Sequence, residues 1–281
     1  MTTIDATQEH VAPREAWDAI AAGYDEFVAP GEAALATEVL RMVGLRVDHR
    51  LLDVAAGTGG LSLPAARLGA GVVATDWSPA MISRFDARVL QERLAGAEGR
   101  VMDAHNLDLG DEEFDVAASQ FGVMLVPDQA RALREMVRVT KRGGRVLLVA
   151  YGPASEFEAL QAFLAAVQTV APEFEGLPTD PPPLEFQAAD PSVMHERLAT
   201  AGLVGIAVDT VHHETVSFAT GQQFWDWMWF GNPVVGMVVG DLTDQQQVLV
   251  KGAVDQMVRE RATGSGRAVF TARLTIGLGW K

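Results

Sequence analysis

One segment of the chain restricts its fold more than any other: a short apolar run that enters a glycine-rich turn. Residues 51–54 are followed by Gly57 and Gly59. A second apolar run, 72–75, ends in Asp76. Glycine lets the backbone approach a ligand closely because no Cβ stands in the way. Two buried strands that end in this manner are typical of an α/β fold that binds an adenosine-containing cofactor at the carboxyl ends of its strands.

The turn departs from the dinucleotide-binding pattern G-x-G-x-x-G in a way that bears on the cofactor. Ser62 stands at the position of the third glycine, and Asp53 lies in the strand just before the turn. A carboxylate there would repel the pyrophosphate of a dinucleotide, whereas it would attract the ammonium and sulfonium groups of S-adenosylmethionine. A NAD-dependent oxidoreductase stays open as an alternative, as does a non-catalytic protein that binds S-adenosylmethionine.

Five segments in order carry a resemblance to a known family. The run 51–60 resembles the first motif of the class I S-adenosylmethionine-dependent methyltransferases, with Ala55 where that family most often has its first glycine. The nearest resemblance is to the ubiquinone- and menaquinone-biosynthesis-like group of small-molecule enzymes. The similarity covers about residues 14–150 and is architectural beyond that. The four further segments that resemble family motifs are 76–81, 101–104, 114–121 and 141–149.

The resemblance implies a role for each motif. Asp76 would bind the ribose hydroxyls at an exposed strand end, Trp77 would stack on the adenine, and Asp103 would read the adenine edge. Tyr24 would lie near the carboxylate or sulfonium of the cofactor. The expected cofactor is S-adenosylmethionine, which becomes S-adenosylhomocysteine after the transfer. The residues expected to bind it are Tyr24, Asp53, Ala55, Gly57, Thr58, Gly59, Asp76, Trp77, Met81, Asp103, Ala104, Ser119 and Phe121.

Alternation of strands and helices predicts an α/β fold with a parallel sheet. The resemblance makes it a Rossmann-like, seven-stranded sheet with the last strand antiparallel, helices on both faces and a helical lid. Strands are expected at about 51–55, 72–75, 100–102, 114–119, 145–150, 204–211 and 267–276. The expected domains are an N-terminal helical cap (1–45), a cofactor-binding core (46–152) and a C-terminal part (153–281) with the lid at about 212–266.

The segment between the last two strands is too long for a simple loop and contains an aromatic cluster at 224–230. Trp225 and Trp229 are four positions apart and therefore share one helix face. We expect them to bind an apolar or aromatic acceptor together with Phe121 and Met124, which follow the fourth strand. The alternative is that these rings only seal the lid onto the core.

Methyl transfer from an activated sulfonium requires mainly alignment and exclusion of water. No general base can be assigned from the sequence. His105, shortly after the adenine motif, is the one histidine singled out, with a solvated loop histidine as the alternative. The spacing of histidines and carboxylates suggests no metal. The acceptor atom, whether oxygen, nitrogen or carbon, stays open, as does a reaction other than methyl transfer.

Composition limits the partners and the compartment. The formal net charge of −15 argues against nucleic acid, whose phosphates are bound by Lys and Arg. The chain has no cysteine, which excludes disulfides and thiol nucleophiles and fits a cytoplasmic protein. Apolar runs are too short for a membrane span, and residues 1–14 do not resemble a signal peptide. We therefore expect a small-molecule acceptor, no nucleic acid and no membrane, with a homodimer left open.

Overall fold

The computed structural model describes residues 12–231, 233–240, 242–262, 264 and 266–281. Its centre is one seven-stranded sheet. The strands are β1 (Arg50–Val54), β2 (Gly71–Asp76), β3 (Ala97–Val101), β4 (Phe114–Gln120), β5 (Thr140–Tyr151), β6 (Val204–Phe218) and β7 (Ala268–Trp280). The helices are α1 (Arg14–Gly23), α2 (Ala29–Met42), α3 (Ser62–Arg67), α4 (Pro79–Glu92), α5 (Gln129–Val139), α6 (Glu158–Val170), α7 (Pro191–Thr200), α8 (Gly221–Gly231), α9 (Pro233–Gly240) and α10 (Asp244–Arg261).

The order of strands across the sheet is β3-β2-β1-β4-β5-β7-β6. From β1 the chain winds outward to β2 and β3 on one side, and later to β4 and β5 on the other, with all of these pairs parallel. The carboxyl ends of β1 and β4 therefore form a topological switch point, which is where ligands bind in open α/β sheets. β7 is antiparallel to both β5 and β6, which confirms the predicted fold.

Several strand boundaries differ from the sequence prediction, and β5 begins at Thr140 instead of about 145. β3 begins and ends earlier than the expected 100–102. β6 and β7 form a long hairpin that pairs Val204 with Trp280 at one end and Phe218 with Ala268 at the other. The helical connection that contains α8, α9 and α10 therefore spans 219–267, which corrects the expected 212–266. Pairing with β7 carries β6 on from Val211 to Phe218, and apolar residues face each other only at the far end of this extension, where Val216 pairs with Phe270 and Phe218 with Ala268.

The N-terminal helices pack against this helical insertion. A π-helical turn at Tyr24–Val28 joins α1 to α2, and Phe27 in this turn stacks on Phe230 of α8 with 5.6 Å between ring centroids. Gly23 lies directly on the Phe230 ring, where any Cβ would collide. The expected cap, 1–45, starts within residues 1–11, which lie outside the described part of the chain.

The start of α4 is fixed by a side-chain cap and a proline. Ser78 is its N-cap and accepts a hydrogen bond from the Met81 amide at 3.1 Å, and Pro79 occupies the first helical position. A proline costs nothing there because its missing N–H would have no partner within the helix. This cap ends the loop after β2 and fixes the direction in which Asp76 and Trp77 leave the strand.

Candidate active site

A first cavity of about 780 Å³ opens at the carboxyl ends of β1, β2 and β4. The N-terminal helices cover it, because Trp17 and Tyr24 belong to its wall. Of the residues that the sequence analysis expected at a cofactor, nine border this cavity. They are Tyr24, Ala55, Gly57, Asp76, Trp77, Met81, Asp103, Ala104 and Phe121.

The turn after β1 is built from left-handed backbone. Ala55 has φ 54° and Gly57 has φ 56°. The Ala55 conformation explains why glycine is common at this point in similar motifs, since a side chain there costs about 1–2 kcal/mol. Gly122, after β4, approaches the Ala55 carbonyl so closely that a Cβ would collide with it. The two loops that meet at the switch point are thus in backbone contact.

Thr58 and Gly59 were expected to bind the cofactor, but they lie outside the lining of the first cavity. A Cβ on Gly59 would come within 2.5 Å of the Phe85 ring, so this glycine makes room for core packing. Thr58 is buried, and its hydroxyl oxygen has no hydrogen-bond partner among the described residues. The second half of the turn therefore faces the core, where it lets α3 pack closely.

Asp76 is buried, which corrects the prediction of an exposed strand end. Its carboxylate accepts hydrogen bonds from the amides of Gly57 and Ser78, each at 2.9 Å. Burial raises the pKa of Asp76 to about 6, although these amides lower it. Each carboxylate oxygen can accept more than one hydrogen bond, so both remain able to accept from hydroxyl groups in the cavity.

Two further expected contacts are replaced by hydrogen bonds within the core. Asp53 is 1% exposed, lies outside the cavity lining and accepts from the Ser62 hydroxyl at 2.6 Å. Its burial raises the pKa to about 7. The Ser119 hydroxyl donates to the Val54 carbonyl at 2.7 Å and accepts from the Val123 amide at 2.9 Å. Ser119 thus ties β4 to β1 instead of facing a ligand.

Asp103 and His105 are held in one loop. The Asp103 carboxylate accepts from the His105 amide at 2.8 Å and lies 2.7 Å from His105 Nδ1. His105 Nε2 accepts from the Asp128 amide at 3.2 Å. In this arrangement Nδ1 carries the proton and neither ring nitrogen has a free lone pair. His105 borders the cavity, but both of its ring nitrogens already have hydrogen-bond partners within the protein. The ring is therefore a poor candidate for a general base.

A second cavity of about 840 Å³ adjoins the first and shares Tyr24, Glu32, Phe121 and Leu125 with it. Its wall is mainly aromatic and aliphatic and includes the predicted Met124. The residues that line it contain no Lys, Arg or His. Beyond the shared residues, the principal lining groups are Val28, Met124, Tyr151, Phe157, Phe163, Leu177, Glu185, Phe186, Trp227 and Met228.

Trp225 and Trp229 do not border either cavity, which does not support the role expected for them. They do share a face of α8 and stack on each other with 6.2 Å between centroids, and Trp225 packs beside Phe163 and under the Lys251 ammonium. Trp227 and Met228 face the second cavity instead. A helix turns about 100° per residue, so Trp227, two positions from both Trp225 and Trp229, points to a different side.

Aromatic rings connect the junction of the cavities to α8. Phe121 stacks on Tyr151 at 4.7 Å, Tyr151 stacks on Phe157 at 4.4 Å, and Phe157 meets Trp227 edge-on at 6.1 Å. Phe121 has a positive φ of 63°, which is strained for a bulky residue. Such strain is concentrated at functional sites, where the surrounding structure holds it in place.

Glu32 is a site residue that the sequence analysis missed. Its carboxylate accepts a short hydrogen bond from the Tyr24 hydroxyl, and Oε2 lies against Gly60 of the turn after β1. Burial raises the pKa of Glu32 to about 7, with the Tyr24 hydrogen bond acting in the opposite direction. No local sequence signal distinguishes Glu32 from an ordinary acidic residue in the first turn of a helix.

Gln120 is a second such residue. It borders the first cavity, and its amide nitrogen donates to the Glu32 carbonyl at 3.0 Å. Its Oε1 is buried and has no donor among the described residues. A buried acceptor without a donor is costly, and one beside a cavity fits a ligand that supplies an N–H.

The described residues offer neither a metal site nor a membrane-spanning helix. They contain no group of three or more His, Cys, Asp or Glu side chains arranged to hold a metal ion. Within the same ranges, none of the helices combines the length and the apolar character that crossing a membrane would require.

Comparison with known proteins agrees with this geometry. Residues 52–148 match a family described as methyltransferase domain. An uncharacterized protein of Mycobacterium tuberculosis (strain ATCC 25618 / H37Rv) is 39% identical over 119 residues, 42% of this chain and 43% of that protein. The demethylmenaquinone methyltransferase of Paenarthrobacter aurescens (strain TC1) is 37% identical over 113 residues, 40% of this chain and 43% of that enzyme. The chain therefore spans less than half the length of these relatives.

A solved structure extends the likeness of the fold to most of the chain. The structure of a putative methyltransferase from Bacillus halodurans C-125 superposes with a TM-score of 0.57 and 18% identity, covering 88% of this chain and 98% of that one. Residues 52–148 therefore match a methyltransferase domain, and most of the chain shares the fold of that solved structure. Over its matched residues the chain is similar to the demethylmenaquinone methyltransferase, which agrees with the resemblance seen in the sequence motifs.

Proposed function

We propose that the chain transfers the methyl group of S-adenosylmethionine, bound in the first cavity, to a small molecule bound in the second. The observation that carries this proposal is the junction of the two cavities at Tyr24, Glu32, Phe121 and Leu125. A methyl donor and its acceptor need adjoining compartments, because transfer is an in-line displacement between two aligned groups.

The charge of the first cavity supports this cofactor. Its lining contains the carboxyl groups of Glu32, Asp76 and Asp103 and no Lys or Arg. When bound, S-adenosylmethionine supplies an activated methyl group on a positively charged sulfur, beside an ammonium group. Carboxylates that line a cavity attract such cations, whereas they would repel the pyrophosphate of NAD. The same balance of charge argues against a NAD-dependent oxidoreductase.

Individual residues fit parts of this cofactor. We assign the ribose hydroxyls to Asp76 and one face of the adenine to Trp77, whose side chain borders the cavity. Asp103 and the Ala104 amide lie beside it and would read the adenine edge. The buried Gln120 Oε1, which lacks a donor, would accept from the ammonium group.

The second cavity favours an apolar or aromatic acceptor. Apolar pockets with a few polar groups are typical of small-molecule sites. We propose that Phe121, Met124, Trp227 and Met228 contact the acceptor. The side of α8 that carries Trp227 would then form part of the acceptor site. The helical insertion would then act as a lid that excludes water from the transfer.

Asp76→Asn tests the assignment of the cofactor site. We expect it to weaken S-adenosylmethionine binding by roughly ten- to a hundredfold, because a hydrogen bond to a charged group contributes about 1.5–3 kcal/mol. Asparagine is preferable to alanine, since it keeps an acceptor for one of the two amides, of Gly57 and Ser78, whereas alanine would leave both without one. Isothermal titration calorimetry measures the dissociation constant.

The matched control for this variant is Asp108→Asn, which changes an exposed aspartate outside the cavity lining. It is expected to bind S-adenosylmethionine like the unaltered chain. Equal dissociation constants for Asp76→Asn and the unaltered chain would show that the ribose lies elsewhere.

A further inference from the structure

Tyr24 and Glu32 form a hydrogen-bonded pair where the two cavities meet. Both residues belong to the lining of both cavities. The Tyr24 hydroxyl donates to Glu32 Oε1, while Oε2 faces the backbone at Gly60. A phenolic hydroxyl that donates its proton can still accept a hydrogen bond through its oxygen. The atom of the pair best able to receive a proton from a ligand is therefore Tyr24 Oη, with Glu32 behind it.

The charged groups in the wall of the second cavity limit the kind of ligand that it can bind. Its lining has no positively charged side chain, while two carboxyl groups, of Glu32 and Glu185, belong to it. An anionic ligand would find no partner for its charge there and would face like charges in an apolar enclosure, which is costly. A phosphate or carboxylate group is thus a poor match for this compartment.

We propose that Tyr24 and Glu32 act as a proton relay for an apolar acceptor that has no negative charge and whose nucleophile is an O–H or N–H group. The inference rests on the proposed methyl transfer and names the kind of acceptor on which it would act. Because oxygen and nitrogen nucleophiles share this requirement, the relay covers both.

In the transfer step the acceptor is X–H, where X is its nucleophilic oxygen or nitrogen atom. A lone pair of X forms a bond to the methyl carbon as the carbon–sulfur bond breaks, and the electron pair of that bond stays on sulfur. The proton of X passes to Tyr24 Oη while the Tyr24 hydroxyl proton passes to Glu32 Oε1. Glu32 ends neutral, Tyr24 is restored, and the proton on Glu32 returns to water when the products leave.

Burial suits Glu32 to this role. Its pKa of about 7 lies near neutral pH, where a general acid or base is most effective. Burial and the neighbouring Glu32 raise the pKa of Tyr24, so its hydroxyl stays protonated until the relay operates. Other titratable groups also face the pair or share a cavity with it. They are Asp53 on β1, Asp76 on β2, Asp103 and His105 in the loop after β3, Tyr151 on β5, Glu185 before α7 and His213 on β6.

The fluorescent phenol 2-naphthol provides a test that does not depend on turnover. Excitation makes its hydroxyl strongly acidic. Free 2-naphthol transfers its proton to water, so the protein is kept in excess; a naphthol bound in a cavity that excludes water emits as naphtholate only where a neighbouring group accepts the proton. We expect 2-naphthol bound to the full chain with S-adenosylhomocysteine to emit as naphtholate above about pH 7, the pH at which Glu32 ionises. Protonation of Glu32 at lower pH should remove this emission.

Two variants should remove it while leaving the cavity in place. Glu32→Gln keeps the shape of the side chain and an oxygen that can accept from Tyr24, and Tyr24→Phe keeps the ring. Each is expected to lower the ratio of naphtholate to naphthol emission by about tenfold or more, within the range of a general-base contribution. The double variant should fall no further, since the two groups act as a unit. Glu38→Gln, an exposed position on α2, is the matched control.

Three outcomes would overturn the relay. Naphtholate emission in Glu32→Gln equal to that in Glu38→Gln would show that Glu32 does not receive the proton. Independent, multiplying effects of the two single variants would show that they do not form one path. Failure of 2-naphthol to bind, or binding of 2-naphthoate at equal or greater strength, would contradict the acceptor class. Absence of S-adenosylmethionine binding would instead overturn the proposed function, whatever the naphthol result.

Discussion

Without cofactor, the protein is expected to become less stable as the pH rises from about 5 to about 8. Burial raises the pKa of Glu32 and of Asp53 to about 7 and that of Asp76 to about 6. Each of these carboxyl groups ionises at a higher pH in the folded than in the unfolded chain. The folded state therefore binds more protons across this window, and the free energy of unfolding falls as the pH rises.

The size of this loss follows from the pKa values. One pKa unit corresponds to about 1.4 kcal/mol, so Glu32 and Asp53 should each contribute a loss of about 2–3 kcal/mol between pH 5 and 8. Carboxyl groups with a lowered pKa make the fold more stable as the pH rises. They do so at or below the ordinary pKa of a carboxyl group, under the window from pH 5 to 8, and therefore do not offset the loss. They are Asp48, Glu92, Asp115, Glu135, Glu158 and Asp190.

Urea unfolding at about pH 5.5 and about pH 8 measures the trend. Asp53→Asn should remove a large part of it, because the amide does not ionise, while Asp108→Asn at the surface should leave it unchanged. The affinity for S-adenosylmethionine should change in the other direction and strengthen with pH, since ionised Glu32 and Asp76 attract the cationic cofactor. A stability that rises over this window in the unaltered chain would contradict the account of the buried acids.

Trp227→Leu is expected to weaken the binding of 2-naphthol by about ten- to a hundredfold, whereas Trp229→Leu should have little effect. The Trp227 ring borders the second cavity, and loss of a buried aromatic surface corresponds to about 1.5–3 kcal/mol. Trp229 lies two residues further on α8 and stacks on Trp225 outside the cavity. Fluorescence titration in the presence of S-adenosylhomocysteine measures both dissociation constants.

The two variants also separate packing from binding. Both remove an indole from α8, so both should lower the melting temperature, and both should leave the affinity for S-adenosylmethionine nearly unchanged. Equal losses of 2-naphthol affinity would mean that the effect comes from general destabilisation of the insertion. A selective loss in Trp229→Leu would mean that the acceptor lies on the face of α8 that the sequence analysis first suggested.

Sequence reasoning located the cofactor end of the sheet because the relevant signals are local. A strand, its glycine turn and the acid after the next strand are read within a few residues, and sheet topology brings the turn and Asp76 together without further information. The same reasoning did not show which way Thr58, Gly59 and Ser119 face. Their side chains or backbone turn toward core partners, and a motif does not specify the direction in which its residues face.

Glu32, Gln120 and Trp227 were beyond prediction for a different reason. Their places depend on how the N-terminal helices and the insertion pack over the sheet, which no local pattern records. Periodicity correctly placed Trp225 and Trp229 on one face of α8. It could not show which face meets the cavity, because Phe224, Trp225, Trp227 and Met228 are all buried and α8 is apolar on more than one side.

Calorimetric titration of the full chain with S-adenosylmethionine, S-adenosylhomocysteine and NAD, each under the same conditions near neutral pH, tests the central claim most directly. The acidic lining of the first cavity, with Glu32, Asp76 and Asp103 and without Lys or Arg, predicts saturable binding of the two adenosyl ligands and none of NAD. Tight binding of NAD with no binding of S-adenosylmethionine would contradict the assignment of the cavity and the proposed methyl transfer with it.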